Sequence, residues 1–216
     1  MAAQGFKSVR IPAAWVMGHI VDGEEGMTID ADWMARVKEI VDYCVKDGLY
    51  VVLNDHWDGG WIQGTFKKDI TEPTVQANCE KMKRLWTQIA EAFKDYDEHL
   101  LFAGLNEPEA ETVAQIGALM TYEQAFIDAV RATGGNNASR TLVVQGPNTS
   151  IELSSKYVDM SKFEDTASKA LMIEVHYYSP PQFTGVWEGP NGDEPFDFWG
   201  AANHVPSGNY MKYNCT

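Results

Sequence analysis

The sequence predicts an α/β fold: a partial (β/α)8 TIM barrel of about five parallel strands, open at its edges and ending in a long irregular tail. Three observations predict it. Five short apolar runs each end in a polar or aromatic residue. Segments of helical periodicity separate those runs. The chemistry-bearing side chains gather at the C-terminal tips of the runs, where parallel β/α folds carry their sites.

The first run, residues 6–12 (FKSVRIP), follows a short lead-in and ends at Arg10, Ile11 and Pro12. The loop over residues 13–26 carries Trp15 and His19, with Asp22, Glu24 and Glu25 as a solvated acidic stretch. Thr28 or Asp30 can cap the next helix. Its apolar stripe is Trp33, Val37, Ile40, Val41, Cys44 and Val45. Gly48 closes it where a left-handed residue is wanted. The second run, residues 49–57 (LYVVLNDHW), opens into a Gly- and Trp-rich stretch, residues 56–65, composed like a binding loop. A helix over about residues 74–94 then places Val75, Cys79, Met82, Trp86, Ile89 and Phe93 at helical intervals.

The third run, residues 100–108 (LLFAGLNEP), organises the rest. Leu100, Leu101, Phe102, Ala103 and Leu105 are almost without polarity, so both faces of this strand should be covered. Pro108 cannot donate to a ladder and holds its predecessor extended, which ends the strand. The run therefore delivers Asn106 and Glu107 to one rim of the sheet. A glutamate there, beside an amide, suits a general acid whose pKa is raised by partial burial. Taken alone, it reads equally well as a strand-end residue capping a loop.

A weaker segment over residues 110–120 precedes a helix over about residues 121–133, with Tyr122, Phe126, Ala129 and Val130 inward and Gly134 and Gly135 at its end. The fourth run, residues 141–147 (TLVVQGP), leads into a mixed stretch with room for one short helix. The fifth, residues 170–178 (ALMIEVHYY), ends in His176, Tyr177 and Tyr178. Glu174 lies inside that apolar run and needs a buried base such as Arg10, because an unpaired buried carboxylate is costly. Beyond it Pro180, Pro181, Pro190, Pro195 and Pro206, among glycines and asparagines, leave no strand and no ordinary helix. The chain thus reads as residues 1–178 for the partial barrel and 179–216 for an irregular tail of the same domain.

With 216 residues there is enough chain for one domain with a sizeable core. A formal net charge of −14 argues against nucleic acid or an anionic membrane as partner and fits a neutral substrate. Seven tryptophans are a high count, and aromatic faces stack well on the C–H surfaces of sugar rings. Core packing still competes for each of them. Cys44, Cys79 and Cys215 form neither a close pair nor a metal-ligand spacing. No metal cluster is visible, no run is long enough to cross a membrane, and the N-terminus shows no basic-then-apolar signal.

FKSVRIP, LNDHW, LNEP and EVHYYSP, in this order on successive strands, resemble glycoside hydrolase family 5, the cellulase family of retaining (β/α)8-barrel enzymes. RIPAAW followed by His19, and QFTGVWEG followed by DFWG, look most like its bacterial and anaerobic-fungal endoglucanase branches, over roughly residues 5–200. The resemblance implies a secreted endoglucanase that cleaves β-1,4-glucan without a cofactor. It implies Glu107 as the acid/base, Asn106 as the amide on the sugar 2-hydroxyl, and Arg10 as the arginine beneath the nucleophile. His56 matches the histidine after the third barrel strand, with Trp57 where the family often has a second histidine. His176 and Tyr178 match the H-x-Y pair of the sixth strand, whose tyrosine hydrogen-bonds the nucleophile.

Counted against that family, the chain reads as barrel strands two to six. Retaining hydrolysis needs two carboxyls about 5–5.5 Å apart, yet no apolar strand ending in Glu follows Tyr178, so the sequence offers no nucleophile. A loop carboxylate of the tail, a second chain, or a non-catalytic glucan-binding remnant all stay open. So do mannanase, xyloglucanase and mixed-linkage glucanase activities, because loops set substrate choice on one framework.

Trp15, His19, Asn54, Trp57 and Trp61 are the substrate-binding candidates, with Trp57 and Trp61, in their Gly-rich setting, the better sugar platforms; Trp33 and Trp86, on helix stripes, are expected in the core. An open five-stranded sheet leaves two edges unpaired. The expected partners are therefore a β-glucan or cello-oligosaccharide and a second copy of the chain, unless the tail covers the opening.

Overall fold

Five strands lie side by side in one parallel sheet, in the order in which they occur in the chain. The structure is a computed structural model that describes residues 1–67, 70–179 and 181–184. It divides into two units, Met1–Val175 and His176–Thr216. In the first, β1 (Ser8–Ala13), β2 (Tyr50–Asp55), β3 (Leu100–Ala103), β4 (Leu142–Gln145) and β5 (Leu171–Glu174) alternate with α1 (Ala31–Lys46), α2 (Glu72–Ala92), α3 (Val113–Ala132) and α4 (Ile151–Tyr157). In the second, the described residues hold one short helical turn, Pro181–Thr184; the remaining tail, where no regular element is expected, lies outside the described residues.

Register sorts the side chains onto two faces. Partners in a parallel pair point the same way, and the direction alternates along each strand. Arg10 pairs with Val52, Asn54 with Ala103, Ala103 with Val143, and Gln145 with Glu174. Arg10, Asn54, Gln145 and Glu174 therefore share one face of the sheet. The opposite face carries Val51, Leu53, Leu100, Phe102, Leu142 and Val144, all fully buried. The main core lies there, against the helices.

In that core the Trp86 ring packs on Phe102 and Phe126, with centroids 5.5 and 4.6 Å away. Its indole N–H donates to Gly104 O at 3.2 Å. Each fully buried side chain of this size contributes roughly 1.5–3 kcal/mol, against about 1 kcal/mol for a helix cap. Packing decides where the helices lie; caps decide where they begin. Asp30 caps α1 by accepting from Trp33 N at 2.9 Å, and Gly48 follows the helix with φ +75°.

Three sequence expectations are corrected. Residues 113–120 are not part of a separate weak segment but the first turns of α3, which starts at a Thr112–Gln115 capping box and runs unbroken to Ala132. Trp33 is only partly buried: its indole donates to Ala14 O at 2.7 Å and its ring lies flat on His19, centroids 3.7 Å apart. Regular pairing of β3 stops at Ala103 instead of reaching Asn106. Gly104 N still donates to Val143 O at 3.0 Å, but Leu105 N turns to the Gln145 side chain, Oε1, at 2.7 Å. A side chain has replaced the next rung of the ladder.

Candidate active site

Arg10 is the junction of the polar face. From β1 its Nε lies 2.9 Å from Glu174 Oε1 on β5, an ion pair with side chains 28% and 15% exposed. Its Nη2 donates to Asn106 Oδ1 at 3.0 Å, and its Nη1 lies 3.3 Å from His56 Nδ1. The expected partnership of Glu174 with Arg10 is thus present. An arginine is always charged and presents donors in a rigid fork, so one side chain can hold the ends of three other segments at once.

Asn54, expected to bind substrate, is fully buried beneath this junction. With its amide oxygen towards Arg10 it accepts from Nη2 at 2.8 Å and donates to Ile11 O at 3.2 Å. It supports the arginine and has no surface to offer a ligand. Glu107 follows Asn106 at the same rim, half-buried, and its main-chain carbonyl accepts from Gln63 Nε2 at 2.8 Å. That bond anchors the segment after β3 to the Trp-rich loop after β2.

The same loop is clamped to the loop after β1. Asp58, buried at φ +47°, accepts from three successive backbone N–H groups: Trp15 N at 2.8 Å, Val16 N at 2.7 Å and Met17 N at 2.7 Å. Amide dipoles converging in this way favour a carboxylate. Asp55, also buried, has its pKa pushed well above the usual carboxylate range, chiefly by burial and then by the charge of Asp58. Trp61 donates its indole N–H to Asp55 Oδ2 at 3.0 Å.

The aromatic candidates separate under this geometry. Trp15 is fully buried with its indole donating to Asn54 O at 3.1 Å, so it packs the loop and cannot present its ring to a ligand. Trp57 is 55% exposed, Trp61 is half-buried, and His19 is half-buried against Trp33. His176 and Tyr178 belong to the second unit, where their rings meet edge-on at 6.2 Å. Among the described residues no three His, Cys, Asp or Glu side chains are gathered to hold a metal ion.

Two residues were missed in the sequence. Gln145 donates from Nε2 to Glu174 Oε2 at 2.7 Å while its Oε1 holds Leu105 N. Glu123 lies fully buried on α3, with Oε1 accepting from Gln145 N at 3.0 Å. Its pKa is pushed up to about 8, first by burial, with the charge of Glu174 adding to the rise. A signal for Glu123 exists: at helical spacing it shares the stripe of Phe126, Ile127 and Val130.

A parallel β/α sheet with a charged cluster at the C-terminal tips of its strands defines a β/α-barrel class of protein with an enzyme-like site. Comparison with known proteins narrows the class. The model of cellulase, glycosyl hydrolase family 5, matches residues 1–211. The chain belongs to that family. It is 40% identical over 202 residues to Endoglucanase B of Ruminococcus albus, covering 89% of this chain and 46% of the relative. It is 36% identical over 209 residues to a xyloglucan-specific endo-β-1,4-glucanase of Bacteroides ovatus, covering 93% and 39%. Among solved structures, a GH5 xyloglucan-specific β-1,4-glucanase from a ruminal metagenomic library, in complex with XXLG, superposes with a TM-score of 0.82 at 50% identity, covering all of this chain and 56% of that one. The chain spans about half the length of these relatives, or less.

Proposed function

We propose that the chain carries the acid/base half of an endo-acting β-1,4-glucanase, with Glu107 as the acid/base and a β-glucan or cello-oligosaccharide lying across the C-terminal rim of the sheet. The observation that carries this reading is the Arg10 junction, which gathers His56, Asn106 and Glu174 from separate strand tips beside Glu107. Asn106 spends its oxygen on Arg10, which turns its amide N–H groups to donation towards a sugar hydroxyl. Trp57 and Trp61 serve as sugar platforms.

In this reading Glu107 gives its proton to the glycosidic oxygen as the C–O bond breaks and a second carboxylate bonds to the anomeric carbon, then takes a proton from the water that displaces that carboxylate and frees the sugar. Glu174 is a poor second carboxylate for that scheme, because its two oxygens are already committed to Arg10 and Gln145. The relatives include xyloglucan-specific β-1,4-glucanases, so the proposed substrate is the β-1,4-glucan backbone with or without side chains.

The test is release of reducing ends from carboxymethylcellulose and xyloglucan by the chain and its Glu107→Gln variant. Turnover that disappears in the variant supports the reading. Turnover unchanged in the variant removes Glu107 from the role. Oligosaccharide binding with no turnover in the parent chain assigns the rim to binding alone.

A further inference from the structure

A continuous line of polar contacts runs from the buried flank of α3 to the Arg10 junction. Glu123 Oε1 accepts from Gln145 N at 3.0 Å; Gln145 Oε1 accepts from Leu105 N at 2.7 Å, and its Nε2 donates to Glu174 Oε2 at 2.7 Å. Glu174 in turn pairs with Arg10, which holds Asn106. Both Glu123 and Gln145 are fully buried, so water does not compete for these bonds. Gly104 makes the arrangement sterically possible. A Cβ at that position would lie 2.5 Å from Glu123 Oε2 and 2.9 Å from the Phe126 ring.

Packing alone has no need of an acid here. A fully buried carboxyl without a salt-bridge partner is expensive, and Glu123 Oε2 has no hydrogen-bond partner among the described residues. A leucine would fill the same stripe of α3 at lower cost. What the leucine could not do is fix the main chain at Gln145. That residue links the segment leading to Asn106 to the carboxylate that faces Arg10.

We propose that Gln145, held by Glu123, is a positioning residue that sets the Arg10–Glu174 pair and the Leu105–Asn106 segment relative to each other. This rests on the reading of the rim as a glucan site, but the geometry can be tested without turnover. Gln145 acts at both ends of one side chain. Removing it takes one partner from Glu174 Oε2 and one from Leu105 N together, and the anion that faces the guanidinium is held less firmly.

The readout is solvent hydrogen exchange of the Arg10 guanidinium in the full chain, measured by NMR near pH 6, with the Trp33 indole N–H as internal control. Gln145→Met should speed exchange at Arg10 by about tenfold or more while the Trp33 indole stays unchanged. Glu123→Leu should give a smaller effect of the same sign. Glu123→Gln, which keeps an oxygen for the Gln145 N–H, should return exchange to the parent value. Should Gln145→Met not fold, the Glu123→Leu and Glu123→Gln pair still decides. If Arg10 moves no more than the control in the folded variants, or if Glu123→Gln fails to restore it, the proposal is overturned. Where the parent chain hydrolyses glucan, Gln145→Met should also lower kcat by about a hundredfold, as misplacement by an ångström does, with KM little changed. A parent chain without turnover overturns the hydrolase reading and leaves the exchange result standing.

Discussion

Arg10 Nη2 donates to Asn106 Oδ1 at 3.0 Å, which ties the residue preceding Glu107 to a guanidinium two strands away. The same guanidinium faces the Glu174 carboxylate at 2.9 Å. One side chain therefore neutralises a half-buried carboxylate and orients an amide. These two services fail together when it is replaced.

Arg10→Lys is expected to be far from conservative. A lysine presents one point charge where three directions are served. It can reach Glu174 or Asn106, not both with His56. Breaking a buried ion pair costs about 3–5 kcal/mol, and the 28% and 15% exposure of these side chains reduces that to roughly 1–3 kcal/mol. Urea unfolding of Arg10→Lys and Arg10→Ala should show both variants within that range. A lysine variant as stable as the parent would mean that the fork geometry is irrelevant.

Glu107→Gln removes the transferable proton and keeps the shape. General acid–base groups contribute about 10²–10⁴ in rate, so turnover should fall by that order while cellotetraose affinity, read by calorimetry, changes little. Equal losses in turnover and affinity would make Glu107 a binding residue.

Two of the candidate sugar platforms, Trp15 and Trp57, should part in opposite directions. Trp15 is fully buried, and its truncation to alanine should cost about 3–5 kcal/mol of stability. Trp57 is 55% exposed, and Trp57→Ala should shift stability by less than about 0.5 kcal/mol. Oligosaccharide affinity should drop only in the second case. Denaturant curves and calorimetry on the same two variants check this.

That pair also marks what the sequence could and could not convey. Periodicity was enough to place five parallel strands, and alternation along them puts Arg10 and Glu174 on one face; strand-tip chemistry pointed to His56 and Asn106 just beyond the strands. The Gly-rich setting favoured Trp57 over Trp15, but nothing local showed Trp15 to be wholly buried, since exposure in a loop depends on a partner far away: here Asp58, gripping three amides of the loop after β1. Glu123 escaped notice for another reason. A carboxylate among apolar residues reads as a solvated interruption until the glycine and the backbone N–H of the glutamine around it are in place. Gln145 closes β4 as one of several polar strand tips, and nothing local says that it replaces a backbone rung.

Self-association is expected from the sheet's edges. Met172 and Val175 are 53% and 44% exposed at the β5 end, an arrangement that favours pairing with another surface. Sedimentation at micromolar concentration should show species larger than one chain, reduced by Met172→Lys. A clean monomer in the parent chain would count against it.

Stability should fall as pH rises through neutrality, and Glu123 is the reason. Its carboxyl titrates at about 8 in the folded chain against an ordinary value of 4.5. Between those values the folded state holds a proton that the unfolded state has released, so the protonated acid's contribution is whole below 4.5 and is lost on the way to about 8. The groups acting on it are few. Gln145 N–H favours ionisation and the charge of Glu174 opposes it, while burial outweighs both. Glu123→Gln is neutral at every pH and lacks this slope, whereas Asp55, whose pKa is also raised, contributes equally to both proteins and cancels in their difference. Urea midpoints from about pH 5 to about pH 9 should therefore show the parent losing stability relative to Glu123→Gln, at a slope of at most about 1.4 kcal/mol per pH unit, and levelling once the folded carboxyl has ionised. Two parallel curves would show that the Glu123 proton is not held by the fold.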